Sequence, residues 1–362
     1  MIDQSLMRFD EKVVIKLRSL YKKYGYLPYK MSKFEEYELY IRNKDFLVSD
    51  RILAFNDTNG KLMALKPDVT LSIIKNGDDT EGSKQKVFYN ENVYRVSEST
   101  HRFKEIMQTG LECIGDVDIY DIYEVISLAA ESLAAVCDDF YIEISNMDVV
   151  TAVIASVCAE AGFLSSVLNC ISEKNSHDLK KVCDEFGVDE EGYGKIAKLI
   201  TLYGEREKVV EGIFEITDCP EAYEMAKLSD MLEESPLSDK IKFDFSVIND
   251  MNYYNGFVFK GFVNGVFTGV LAGGQYDNMM KKMDRAAGAI GFALYLDRLE
   301  ELDNEKDEYD IDVLLLYDDD VDSFEVAYAV NNCIAEGKTV SAQKIIPEKL
   351  RYKEIQDLRK KD

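Results

Sequence analysis

The run from Ile241 to Asp277, IKFDFSVINDMNYYNGFVFKGFVNGVFTGVLAGGQYD, constrains the fold of this chain more than any other stretch. Ile241, Phe243, Phe245 and Val247 alternate with other residues, the pattern of a strand with one buried face, and Gly256 to Val263 supplies a second strand. The two read as antiparallel neighbours. Asn264 and Gly265 both accept positive φ and predict a tight turn into a third strand from Val266 to Leu271, so that the meander ends on Gly273 and Gly274. Adjacent glycines at a strand end let backbone approach a neighbour closely, and Tyr253, Tyr254 and Tyr276 bring rings with hydroxyls to the same place. Such a stretch is equally an ordinary sheet with exposed tyrosines or the wall of a pocket, since both use the same apolar lining.

The 362 residues leave room for two or three domains of roughly 100–200 residues each. No run reaches the roughly 18 apolar residues of a membrane span, and the start, MIDQSLMRFDEKVV, lacks the basic-then-apolar pattern of a signal peptide, so a cytoplasmic protein is expected. Seven cysteines, scattered and without a Cys-x-x-Cys pair, fit reduced thiols better than zinc or disulfides. Lys and Arg number 43 against 68 Asp and Glu, a formal charge of −25, which repels phosphate backbones. The one dense basic run, Lys344 to Lys361, is diluted by Glu348, Glu354 and Asp357. His101 and His177 are the only histidines, too few for Ser-His-Asp or His-metal chemistry, and neither G-x-x-x-x-G-K-[ST] nor G-x-G-x-x-G occurs. Neither a metal nor a cofactor is expected.

In chain order, Phe9, Val13, Leu17, Leu20 and Tyr24 predict an amphipathic helix from Arg8 to Tyr24 stopped by Gly25, facing either the core or a second copy. Tyr26 to Met31 is a short strand, and Ile52 to Phe55 with Lys61 to Leu65 form a hairpin around the turn-rich Asn56 to Gly60. In LKPDVTLSIIK, Pro67 suits a first helical turn, and Asp68 and Thr70 read as capping residues or as site residues. Val87 to Arg95 and Ile106 to Ile114 form a second hairpin. Arg95, Arg102 and Lys104 at its tip either hold an anion or are simply solvated. Gln108 and Glu112, four apart on one strand, share a face and need partners there. Ile122 to Ala135 is an apolar helix, Tyr141 to Ile144 a strand, and 147–236 a run of helices that reads as an insertion. Ala286 to Phe292 is a strand passing into a helix that ends near Leu302, and Asp303 to Glu308 is a charged linker. The remainder shows an α/β pattern: a buried strand in DIDVLLLYDDDV, a helix from Ser323 to Gly337, and a strand near Val340.

The LKPDVT segment, the hairpin VYRVSESTHRFKEIMQTGLECIG, the NYYNG and AGGQYD pair and IGFALYLDRL, taken in order, resemble the catalytic domain of histidyl-type class II aminoacyl-tRNA synthetases. The version resembled is that used as the regulatory subunit of ATP phosphoribosyltransferase. The resemblance covers roughly Met1 to Leu302. It implies an α+β fold, an antiparallel sheet flanked by helices, with a helical insertion at about 147–236 in a domain of 1–305 and a shortened anticodon-domain-like α/β segment at 306–362. It also implies a dimer formed through the N-terminal part. In the family an acid and a threonine hold the amino group of histidine, a glutamine assists, and a glutamate and a tyrosine hold the imidazole. Asp68, Thr70, Gln108, Glu112, Tyr254 and Tyr276 stand at the matching positions, Arg95 and Arg298 are retained, and Arg95 joins the implied histidine set.

ATP activation, by the same resemblance, is lost. Asn249 replaces an arginine and Ser97 a glutamate, and a missing cation at developing phosphoryl charge removes several kcal/mol of barrier lowering. Further departures are Ser32 for a proline, Gln275 for an arginine and Asn252 for an aspartate, the last two expected around the pocket with Asn249. The resemblance thus implies a non-catalytic regulatory subunit, partnered with a short ATP phosphoribosyltransferase and required for its activity and its feedback inhibition by histidine, with no tRNA partner. An active histidyl-tRNA synthetase and a structural accessory subunit with a vestigial pocket are the alternatives.

Overall fold

A computed structural model describes residues 7–47, 51–77, 82–96, 100–160, 162–248, 253–299, 302 and 308–359, which fall into two units, Met1–Leu302 and Asp303–Asp362. Helix α1 (Phe9–Lys23) opens the first unit. Its spacing buries Val13, Val14, Leu17 and Tyr21, and it stops before Gly25, whose φ of +82° ends the helical path. The hydroxyls of Tyr21 and Ser132, both buried, share a hydrogen bond of 3.0 Å. Because that bond is neutral, Tyr21→Phe is expected to lower the unfolding free energy by about 0.5–1.5 kcal/mol in a urea titration. An unmoved midpoint would show that the bond contributes nothing.

Strand β1 (Leu27–Pro28) is followed by β2 (Phe34–Glu36), helix α2 (Tyr37–Arg42), β3 (Ala54–Asn56) and β4 (Leu62–Leu65). β3 and β4 are the expected hairpin, with β2 added along the other edge of β4. Helix α3 (Thr70–Asn76) starts three residues after Pro67 instead of on it. The reason is that the Pro67 carbonyl accepts the Arg95 Nε–H at 2.7 Å and Asp68 Oδ1 caps the Leu71 N–H at 2.9 Å.

The long hairpin of β5 (Lys84–Val96) and β6 (Phe103–Gly115) leads into α4 (Ile119–Ala134), capped by the Asp118 side chain, and β7 (Phe140–Asn146). Then come α5 (Met147–Val157), α6 (Phe163–Ser172), α7 (Ser176–Glu185) and α8 (Glu190–Thr201), a two-residue β8 (Tyr203–Gly204), and α9 (Arg206–Phe214) and α10 (Pro220–Glu233). The run of helices predicted for 147–236 is found, and β8 is the one strand among the described residues there that the sequence pattern does not predict. β9 (Ile241–Asp244), β10 (Asn255–Val263), β11 (Leu271–Gln275), α11 (Asp277–Lys282) and β12 (Gly288–Tyr295) complete the unit. Nine strands make one sheet in the order β1-β5-β6-β12-β11-β10-β7-β9-β8, antiparallel except for β1 against β5 and β7 against β9.

The sheet corrects the reading of the central stretch. β9 and β10 are not neighbours: β7 lies between them, pairing Ile144 with Phe259 on one side and with Phe243 on the other. The six helices form the long crossover that two parallel neighbours such as β7 and β9 require. β11 begins where a strand was expected to end, and Gly273 and Gly274 lie inside it, since the lack of side chains hides the alternation there. A Cβ on Gly273 would stand 2.4 Å from the Gly291 carbonyl and 2.6 Å from the Phe259 ring, so only glycine permits this packing. β12 runs on to Tyr295, and the predicted helix shrinks to a 3-10 turn, Leu296–Arg298, because the Tyr295 N–H still bonds the Val270 carbonyl at 2.8 Å. Ser97, Asn249, Asn252 and most of the charged linker lie outside the described residues.

In the second unit β13 (Ile311–Leu316), α12 (Ser323–Ala335) and β14 (Val340–Gln343) follow the predicted α/β pattern. A further strand, β15 (Tyr352–Asp357), pairs parallel to β13 on its free side. Its charged sequence YKEIQD gives no alternation to read. Among the described residues no helix is long and apolar enough to cross a membrane.

Candidate functional site

Period-two geometry sets up the site. Leu111 and Cys113 point to the core beneath α1 and α4, so Gln108 and Glu112 point to the opposite face, towards the core formed with α3 and α11. A cavity of about 340 Å³ opens on that face. β6 contributes Gln108 and Glu112, β5 Tyr89 and Arg95, the turn before α3 Asp68, and the first residue of α3 Thr70. Tyr253, Tyr254 and Tyr276 form an aromatic wall in which the first two rings are 4.4 Å apart. Ala272, Gly291 and Ala293 leave the floor open. All seven residues assigned from the resemblance, Asp68, Thr70, Arg95, Gln108, Glu112, Tyr254 and Tyr276, therefore line one cavity.

Glu112 is the centre of it. Only 2% exposed, it accepts from the Thr70 hydroxyl at 2.9 Å and from the Tyr276 hydroxyl at 2.7 Å. Burial raises its pKa to about 8 against the two hydrogen bonds, which favour the charged form, and nearby Asp68 pushes in the same direction as burial. Burial also raises Asp68, opposed mainly by Arg95, whose guanidinium lies 3.6 Å from its carboxylate. Tyr276 stays protonated through burial and the neighbouring carboxyl, so it is fixed as a donor. Gln108 is 2% exposed, yet its Nε2 has no partner, an unused donor in the wall of a polar cavity.

The structure corrects two expectations here. Arg95 stands at the tip of the hairpin, paired with Lys104, but its side chain neither faces solvent nor waits for an anion with Arg102 and Lys104: it turns inward to the Pro67 carbonyl and Asp68, because those groups offer the acceptors that a buried guanidinium requires. Gln275 does not line the cavity; its amide oxygen accepts the Phe257 N–H on β10. Arg298 is exposed, bonded to the Gly269 carbonyl and stacked 4.3 Å over Tyr295.

Phe46, Tyr89, Gly291 and Tyr295 line the cavity without having been singled out. Tyr89 and Tyr295 had a signal, since Tyr89 shares the parity of Arg95 along β5 and Tyr295 is paired with Gln108. Phe46 arrives from a distant turn and had none. Behind the wall, Lys66, with no exposed side-chain surface, bonds Glu91 at 2.5 Å and ties the turn before α3 to β5.

This architecture has counterparts. The chain is 25% identical over 294 residues to the ATP phosphoribosyltransferase regulatory subunit of Oceanobacillus iheyensis, covering 79% of this chain and 72% of that one. Its structure is similar to an ATP phosphoribosyltransferase regulatory subunit/histidyl-tRNA synthetase from Bacillus halodurans, with a TM-score of 0.76 at 22% identity over 98% and 95% of the two chains. It is also similar to a chain of the ATP phosphoribosyl transferase (HisG:HisZ) complex from Thermotoga maritima, at a TM-score of 0.63, 21% identity and coverage of 79% and 97%. The family model described as histidyl-tRNA synthetase matches residues 4–299, nearly the whole first unit, and the chain belongs to that family.

Proposed function

We propose that this protein is a non-catalytic, cytoplasmic regulatory subunit that assembles with a short ATP phosphoribosyltransferase, is required for its activity, and confers feedback inhibition by binding free histidine in the cavity around Glu112. The observation that carries the reading is the convergence of the seven residues on one cavity in which Glu112 is held from both oxygens while Gln108 keeps a free donor. The names of the relatives support the choice of partner. Histidine fits chemically: its imidazole N–H meets the carboxyl of Glu112, its amino group meets Asp68 and Thr70, and its carboxylate finds Arg95 and Gln108. The functional unit is a homodimer within the larger complex, for which the exposed apolar residues Ile15 on α1 (48%) and Leu27 on β1 (66%) speak, and tRNA is not a partner of so acidic a chain.

The test is reconstitution with a short ATP phosphoribosyltransferase, followed by size-exclusion chromatography with light scattering and by assay. Co-elution, activity that depends on this chain and inhibition by histidine are expected. Failure to co-elute, or histidine-dependent pyrophosphate exchange by this chain alone, would overturn the reading.

A further inference from the structure

Gln275 directly precedes Tyr276, and its Oε1 accepts the Phe257 N–H at 2.7 Å. Phe257 lies where the register of β10 against β11 slips, between Asn255 and Val258, and Gly256 at that bulge has φ +55°. A Cβ on Gly256 would stand 2.1 Å from Gln275 Oε1. The amide therefore occupies the space that a side chain on β10 would fill. Asn255 is tied in the same way, its Oδ1 accepting the Asn278 N–H at 3.2 Å and its Nδ2 donating to Asp277 at 3.3 Å. Two of the cavity tyrosines adjoin this knot. Tyr254 directly precedes Asn255, and its ring lies on Gly274, where a Cβ would come within 2.9 Å of it. Tyr276 directly follows Gln275 and reaches Glu112 at 2.7 Å.

We propose that Gln275 is a positioning residue for the ligand site: by accepting the Phe257 N–H it fixes the bulge that aims Tyr254 and Tyr276 into the cavity. The inference rests on reading the cavity as a histidine site. It also gives a physical meaning to the departure at this position, because the arginine of the resembled segment carries donors only and has no acceptor for that N–H.

The experiment titrates histidine calorimetrically into the full chain and into Gln275→Met, which keeps length and loses the acceptor, and Gln275→Glu, which keeps both. Tyr21→Phe serves as the control for mild destabilisation. Affinity is expected to fall about tenfold in Gln275→Met, as for one lost hydrogen bond's worth of positioning, and to stay near wild type in Gln275→Glu and Tyr21→Phe. A merely structural role would lower the melting temperature of Gln275→Met and leave its affinity unchanged, which overturns the inference. Equal losses in Gln275→Met and Gln275→Glu overturn it as well. Should Gln275→Met not fold, Gln275→Asn, whose amide falls one methylene short, is read in the same way. If the wild type itself binds no histidine, the histidine reading fails, and near-ultraviolet circular dichroism decides the positioning role separately. The chain has no tryptophan, so that band reports its tyrosines. A band unchanged in Gln275→Met overturns the inference; a band altered there and restored in Gln275→Glu upholds it.

Discussion

Gly291→Ala is expected to abolish histidine binding while leaving a folded but weakened protein. A Cβ at this position would lie 1.8 Å from Glu112 Oε2 and 2.5 Å from the Leu111 carbonyl, both far inside contact distance. The carbonyl belongs to β6, which is paired with β12 from Gln108 through Gly115, so the backbone cannot yield. Glu112 must move instead, and it cannot do so without breaking its bonds to Thr70 and Tyr276. Overpacking of this kind costs about 1–3 kcal/mol of stability, measurable as a lower urea midpoint. Loss of the carboxylate's place should weaken histidine by more than about 100-fold, since a charge-assisted bond and the geometry around it are lost together. Wild-type affinity in a folded Gly291→Ala protein would remove Glu112 from the ligand site.

Glu112→Gln should weaken histidine by about 10- to 100-fold, the worth of roughly 1.5–3 kcal/mol for a hydrogen bond to a charged group. It should also change the pH dependence in a defined way. With the Glu112 pKa raised to about 8, the empty site holds a proton across the physiological range. Free histidine carries its ring proton only below roughly pH 6.5. The bound pair, imidazolium against carboxylate, contains one proton. Binding therefore releases a proton below about pH 6.5, is proton-neutral between there and about pH 8, and takes one up above it. Affinity should be flat in the middle window and fall on both sides, by up to about tenfold per pH unit. In Glu112→Gln the part of the alkaline fall that comes from the carboxyl should vanish, because the neutral amide accepts from the neutral ring at any pH, and only the fall from titration of the ligand's own amino group should remain. Without ligand the same raised carboxyl works against the folded state: its contribution to stability is greatest below the ordinary carboxylate pKa and diminishes as pH rises through about 8. Calorimetry in buffers of different ionisation enthalpy would count the protons. A single slope from pH 5.5 to 9 would contradict the assignment.

That seven residues would line one cavity was legible because their segments carry a recognisable order of motifs, and because alternation alone puts Gln108 and Glu112 on one face. What alternation does not carry is the identity of a strand's neighbour. Ile241 to Val247 and Gly256 to Val263 both read as half-buried strands, and nothing in either reveals that Phe140 to Asn146 lies between them. Glycine was the second blind spot. Gly273, Gly274 and Gly291 have no side chain to show a period, yet they sit inside strands and set how closely the sheet and the cavity pack. The direction of Arg95 was the third, since a hairpin pattern places a residue along the strand but does not say whether a buried acceptor such as the Pro67 carbonyl awaits it.

The bond between Tyr276 and Glu112 joins positions 164 residues apart, and β6 is completed on its inner edge only by β12. A chain emerging from the ribosome therefore makes the β5–β6 hairpin long before the strand that covers its edge exists. Contacts of such sequence separation fold slowly, because loop closure must precede any stabilisation from the pairing. Until Tyr295 has been synthesised, one long strand edge and a buried carboxylate's future partners stay apart. The apolar crossover helices are the part able to condense early, while the cavity around Glu112 is among the last features to form. A protein truncated before β12 is thus expected to aggregate through that edge instead of giving a smaller functional subunit.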